Sequence, residues 1–160
     1  MGLKSQWGSG RLPDVIGLAA RLILGVALIW AGAAKVTNPA LSQLAVRAYK
    51  LLPYEFAGYV GLALPIVEIL VGLLLVVGLL TRWSALVGGL LMVAFIIGIS
   101  WAWGHGYSID CGCFGGGGTI ARAQTQYPKE ILRDISFVAC AGWLVVRPRT
   151  SYSLDHRLFG

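Results

Sequence analysis

WSALVGGLLMVAFIIGISWAW, residues 83–103, carries no charge and almost no polar group over a helix-length run. About 20 apolar residues in a helix match a hydrocarbon core of roughly 30 Å. The stretch therefore reads as a membrane span, with Trp101 and Trp103 as anchors at its far interface. Composition agrees. The chain has 160 residues, of which 57% are hydrophobic and only 12% charged, where a soluble domain carries roughly 25% charged residues. The formal charge of +6 is scattered among apolar runs. Those basic residues read as topology determinants and lipid-headgroup contacts, and no nucleic-acid surface is expected. The length suits one integral membrane domain, residues 1–160.

Working outward, further spans are expected at residues 57–80, 14–35 and 129–147. The 57–80 run is interrupted by Pro65 and Glu68 and ends near Thr81-Arg82. Residues 14–35 follow a short basic start, with Ala31-Gly32-Ala33 resembling a cleavage site. A secretory signal is excluded, because the run exceeds the roughly 7–15 residues of a signal core and contains Arg21. Thr37-Asn38-Pro39 stops it. The 129–147 run carries Glu130, Arg133 and Asp134 in its first turns, so it begins in the headgroup region, and Pro148 ends it.

Residues 40–52 are too polar to span. Leu41, Leu44, Ala45, Ala48, Leu51 and Leu52 fall on one helical face, and Ser42, Gln43, Arg47 and Lys50 on the other. A short helix lying on the membrane is expected there. The fold class is thus an all-α membrane protein. It is a four-transmembrane-helix bundle with an amphipathic interfacial helix between helices 1 and 2 and a cysteine loop between helices 3 and 4.

Four spans put both termini on one side. That side holds Lys4, Arg11, Arg82, Arg147, Arg149 and Arg157; the other holds Lys35, Arg47, Lys50, Arg122, Lys129 and Arg133. The basic count ties. The tight basic clusters at Arg82 and at Arg147 with Arg149 favour cytoplasmic termini, and the acids on the other side lean the same way. The expected location is the bacterial plasma (inner) membrane, multi-pass, with the cysteine loop extracytoplasmic.

Within the spans, Arg21 lies about 10 Å into the first helix, and Glu68 about 17 Å into the second from the opposite face. A charge at such depth needs a partner. An Arg21–Glu68 pair facing the bundle interior is expected, serving as a buried strut or as a tentative proton or quinone-headgroup site.

Ile109-Asp110-Cys111-Gly112-Cys113-Phe114-Gly115 opens the polar loop. Cysteines at i and i+2 can close a small ring within disulfide Cα separations. So short a ring removes little loop entropy and is a poor staple. A strained, exposed disulfide is instead readily attacked by another thiolate. His105, Arg122 or a helix end would stabilise a thiolate, while Asp110 would oppose it and could shuttle a proton. Metal binding and a structural turn are the alternatives. Cys111, Cys113, His105 and Asp110 make a weak zinc set, so no metal site is expected. Cys140, about 10 Å from the cytoplasmic end of the fourth helix, reads as a buried small hydrophobe.

Cys111-Gly112-Cys113-Phe114-Gly115, followed by Ile131-Leu132-Arg133-Asp134, resembles the MauE branch of the DoxX-like membrane proteins. So do Arg21 with Gly25 and Gly32-Ala33-Ala34-Lys35, Tyr49 to Pro53, Pro65 with Glu68, and Gly78 to Arg82. The likeness covers roughly Arg21 to Pro148. It implies a four-helix membrane protein. The branch is associated with maturation of methylamine dehydrogenase, a disulfide-rich periplasmic enzyme, alongside a thioredoxin-like partner.

The resulting expectation is a membrane thiol–disulfide redox protein. Cys111 and Cys113 are the redox pair, with Asp110, Arg133 and Asp134 as support, and Arg21 and Glu68 as tentative cofactor-binding groups. The partner would be an extracytoplasmic thioredoxin-fold protein, the outcome oxidative maturation of exported proteins, and the electron carrier a quinone. The competing expectation is a non-catalytic accessory or scaffold subunit of a membrane complex, for instance a respiratory one. A solute or metal transport component is a third, weakened by spans that are poor in polar groups.

Overall fold

The computed structural model describes residues 11–116, 118–119, 125–148 and 153–159. Lys4, Arg122 and Arg149, which entered the charge reading, lie outside them. The chain is mostly helical: α1 (Arg11–Val36), α2 (Pro39–Ala48), α3 (Tyr54–Val77), α4 (Thr81–Gly104), α5 (Tyr127–Val146) and α6 (Leu154–Phe159). Two short strands, β1 (Ile109–Asp110) and β2 (Gly118–Thr119), pair antiparallel between α4 and α5. Three helices, α1, α3 and α4, are long and apolar enough to cross a membrane. α5 packs against α4 and α1 as the fourth rod of the bundle.

The stops and starts follow from local chemistry. Asn38 caps α2, its side chain accepting from the Leu41 amide at 3.2 Å, and Pro39 fills the first helical position, where no N–H is needed. Gly78 ends α3 in the left-handed region at φ 78°. The boundaries of the three apolar helices and of α5 fall within three residues of the expected spans.

α1 and α3 form the tightest pair. A Cβ on Gly72 would meet the Gly25 carbonyl oxygen at 2.7 Å, so the backbones touch where side chains would normally separate them. Leu24, Leu28, Leu75, Met92 and Leu144 fill the core at this level. Apolar side chains such as Ile23, Trp30, Leu70, Leu90 and Ile97 face outward, as they do on a bundle whose solvent is lipid.

α2 lies differently from the sequence expectation. Ser42 and Ala45 are its buried positions, while Leu44, Leu51 and Leu52 are exposed. The cause is Pro65. A proline within a helix donates no hydrogen bond to the carbonyl four residues back. Here that is Gly61, and the Ser42 hydroxyl donates to it instead at 2.6 Å. The unmet acceptor on α3 turns the polar edge of α2 inward.

At the opposite end of the bundle lies α6, beyond the last expected span. Its Asp155 accepts from the amides of Leu80 and Thr81 at 2.8 and 2.7 Å, capping α4 from 74 or more positions away in the chain. Cys140 packs on the core but is only half-buried, less enclosed than expected.

Candidate functional site

The cysteine loop folds back onto one end of the bundle. β1 and β2 pinch its base, with Ile109 opposite Thr119 and Asp110 opposite Gly118. Tyr127, at the start of α5, fastens the approach: its hydroxyl accepts from the Ile109 amide at 3.0 Å and donates to the Tyr107 carbonyl. Tyr49, at the end of α2, donates to the Cys111 carbonyl at 2.8 Å. Burial, then the negative charges of Glu130, Asp134 and Asp110, push the Tyr49 phenol above its ordinary pKa, so it stays a donor. Gly112 sits at φ 67°, and a Cβ there would meet the Ala45 Cβ at 2.7 Å. Only glycine lets the loop tuck under α2.

Cys111 and Cys113 are paired, their Cα atoms 5.4 Å apart, within the range that a disulfide allows. The expected water-exposed ring is not what forms. Both cysteines are buried, at 7% and 4% exposure, in a cluster with Ile99, Ala102, Ile109 and Tyr127. The sequence fragment is polar and glycine-rich, but Ile109 and the two sulfurs are themselves apolar, and the bundle end offers them a floor.

Charged groups converge beneath and beside the ring. Arg133, on α5, holds Asp134 through Nε and Nη2, each 3.0 Å from Oδ1. Its guanidinium lies over the Phe114 ring at 4.5 Å, and Nη2 reaches the Cys111 sulfur at 3.9 Å. Asp134 is 1% exposed, and its Oδ2 has no hydrogen-bond partner among the described residues. Lys35 Nζ binds Glu68 Oε1 at 2.6 Å, both side chains buried, and lies 5.0 Å from the Phe95 ring centroid.

Two small cavities border the cysteines. One, of about 30 Å³, is lined by Lys35, Tyr49, Cys111 and Cys113 among others. The second, of about 10 Å³, is lined by Asp134, Cys113 and Phe114 with Phe95. The first has room for a water or two, the second at most for one. Ligand pockets are far larger, about 300–1,000 Å³.

The expected Arg21–Glu68 pair does not form. Glu68 takes Lys35, and Arg21 lies at the other end of the bundle beside Gly78. Arg21 precedes Lys35 by fourteen residues, about 21 Å along one helix. Arg21 lies level with the end of α3 at Gly78, ten residues beyond Glu68, while the last turn of α1 buries Lys35 beside Glu68. Asp110 accepts from the Gly112 amide at 3.3 Å and shapes the turn. The His105 ring lies tilted against Trp101, centroids 4.0 Å apart, with Nδ1 2.9 Å from the Trp101 carbonyl oxygen. Of the expected site residues, Cys111, Cys113, Asp110, Arg133 and Asp134 come together. Lys35, Tyr49 and Tyr127 join them unexpectedly. Lys35 had a legible signal, a lysine on the last turn of an apolar helix one residue past Gly32-Ala33-Ala34; the tyrosines had none.

Comparison with curated proteins and with solved structures yields no match. A family model, Methylamine utilisation protein MauE, matches residues 13–147. The matched region runs from the first turn of α1 to the end of α5 and takes in the cysteine loop with Arg133 and Asp134. The chain belongs to the MauE family, a family of membrane proteins associated with methylamine utilisation.

Proposed function

We propose that the protein is a membrane thiol–disulfide redox protein, exchanging electrons between Cys111–Cys113 and an extracytoplasmic thioredoxin-fold partner. The observation that carries this is the Arg133 guanidinium held 3.9 Å from the Cys111 sulfur. A bond meant only to brace a loop needs no cation beside it, and a ring this short braces little. A thiolate in a buried setting does need one. α5 completes the membrane domain as a fourth span, α2 lies at the outer interface, and the termini are cytoplasmic. Opening the ring to a partner requires the segment around Gly112 and Gly115 to lift, and both residues have positive φ. Electrons pass onward to a membrane carrier such as a quinone. Arg21 and Glu68, at opposite levels of the bundle, do not make one headgroup site for it.

The alternative, a non-catalytic subunit of a membrane complex, draws support from the burial of both sulfurs. Differential alkylation in cells separates the two. Exchange predicts that Cys111 and Cys113 shift between oxidised and reduced states, and that a Cys→Ser variant traps an outside protein by a mixed disulfide. A pair that never changes state, with functional Cys→Ser variants, ends the proposal.

A further inference from the structure

The surroundings of the two sulfurs are unequal. Cys111 Sγ has the Arg133 guanidinium at 3.9 Å and accepts from the Cys113 amide at 3.3 Å. Cys113 shares its smaller cavity with Asp134, whose unpartnered Oδ2 is buried. Lys35 borders a cavity that both cysteines line, so it does not distinguish them. A cation and an amide donor favour negative charge at one sulfur, and a carboxylate disfavours it at the other.

Resting on the redox reading above, we propose that the ring is polarised: Cys111 is the sulfur that leaves as a thiolate, and Cys113 is the sulfur that joins the partner. A thiolate of the partner's dithiol attacks Cys113 Sγ. The Cys111–Cys113 bond breaks, and Cys111 departs with the electron pair beside Arg133. The partner's second thiolate then attacks the partner sulfur of the mixed disulfide and releases Cys113. The partner's dithiol becomes a disulfide, and the ring gains the two electrons. Asp134 disfavours a second thiolate, so Cys113 takes up a proton from solvent. Exchange is faster when the leaving thiol is the better-stabilised thiolate, so the polarity also sets the preferred sulfur for attack. Arg133 thereby touches a reacting atom and acts as a catalytic residue, while Asp134 positions it through the paired bonds at 3.0 Å.

The test uses the oxidised full-length protein in lipid nanodiscs, with limiting reduced glutathione as the attacking thiol. Free thiols are then blocked with iodoacetamide and the adducts located by tandem mass spectrometry. Glutathione is expected on Cys113, with iodoacetamide on Cys111, in about tenfold excess over the reverse. Arg133→Gln should bring the ratio close to one, and Arg133→Lys should keep most of it. Arg133→Lys also reports whether position 133 tolerates change. Adducts on Cys111, an even split in the native sequence, or no adduct at all would overturn the assignment. Trapping in cells keeps the two ideas apart. Cys111→Ser should capture the partner and Cys113→Ser should not. A Cys113 adduct without any captured partner leaves the polarity standing and removes the exchange function. Capture by Cys113→Ser in preference keeps the function and removes the polarity.

Discussion

At the scale of single residues, the site is a set of groups that need each other. Lys35 and Glu68 are buried together at 2.6 Å. Removing one charge leaves the other uncompensated, a loss of about 3–5 kcal/mol, whereas replacing both with apolar residues of similar size is close to neutral. Lys35→Met and Glu68→Leu should each lower the thermal midpoint in detergent sharply, and the double variant should recover most of it. Retention of the full midpoint by either single variant would contradict the pairing. Tyr49 gives a pH prediction. Its phenol pKa is raised in the folded state, while the unfolded chain releases that proton near pH 10. Below that pH both states hold the proton and stability is unaffected. Above it the unfolded state binds fewer protons, so stability falls as pH rises. Melting between pH 8 and 11 should show the decline, and Tyr49→Phe should flatten it.

At the scale of elements, two helices depend on bonds from outside themselves. Ser42→Ala should leave the Gly61 carbonyl unpaired, costing about 1–3 kcal/mol and loosening α2 in hydrogen exchange. Asp155→Ala should fray the first turn of α4, at about 0.5–2 kcal/mol, with faster exchange at Leu80 and Thr81. Unchanged protection at those amides would mean that α6 caps nothing in solution. Both arrangements were illegible in the sequence for the same reason. Periodicity reports what a helix would prefer against a uniform apolar surface. It does not report which side chain answers the carbonyl that Pro65 leaves open, nor which distant residue caps an N-terminus that lacks a local cap. The apolar rods themselves were legible within a few residues, because length and hydropathy alone determine them.

At the scale of the whole molecule, the bundle has two unlike ends. One bears the ring with Arg133, Lys35 and Tyr49; the other bears Arg21, Gly78 and α6. The loop's composition announced a site but not its depth, since burial of the sulfurs depends on α2 and α5 closing over them from distant parts of the chain. The orientation proposed here is checked by substituted cysteines. A membrane-impermeant maleimide should label His105→Cys in intact cells and Leu158→Cys only after permeabilisation. The reverse pattern would turn the molecule over and take the ring away from any exported partner.

The ion pair between α1 and α3 also constrains how the protein is made. Thirty-three positions separate Lys35 from Glu68, so the first helix emerges from the ribosome before the segment that carries its counter-charge. A lysine in hydrocarbon is unfavourable, by about 2.5–3.5 kcal/mol at the centre of a span and by less near its end. Until α3 arrives, α1 must wait with that end near water, and the two helices settle into lipid as a unit. Biogenesis of this small protein is thereby a two-helix event from the start, and nascent chains halted before Glu68 should remain extractable at alkaline pH while longer ones resist.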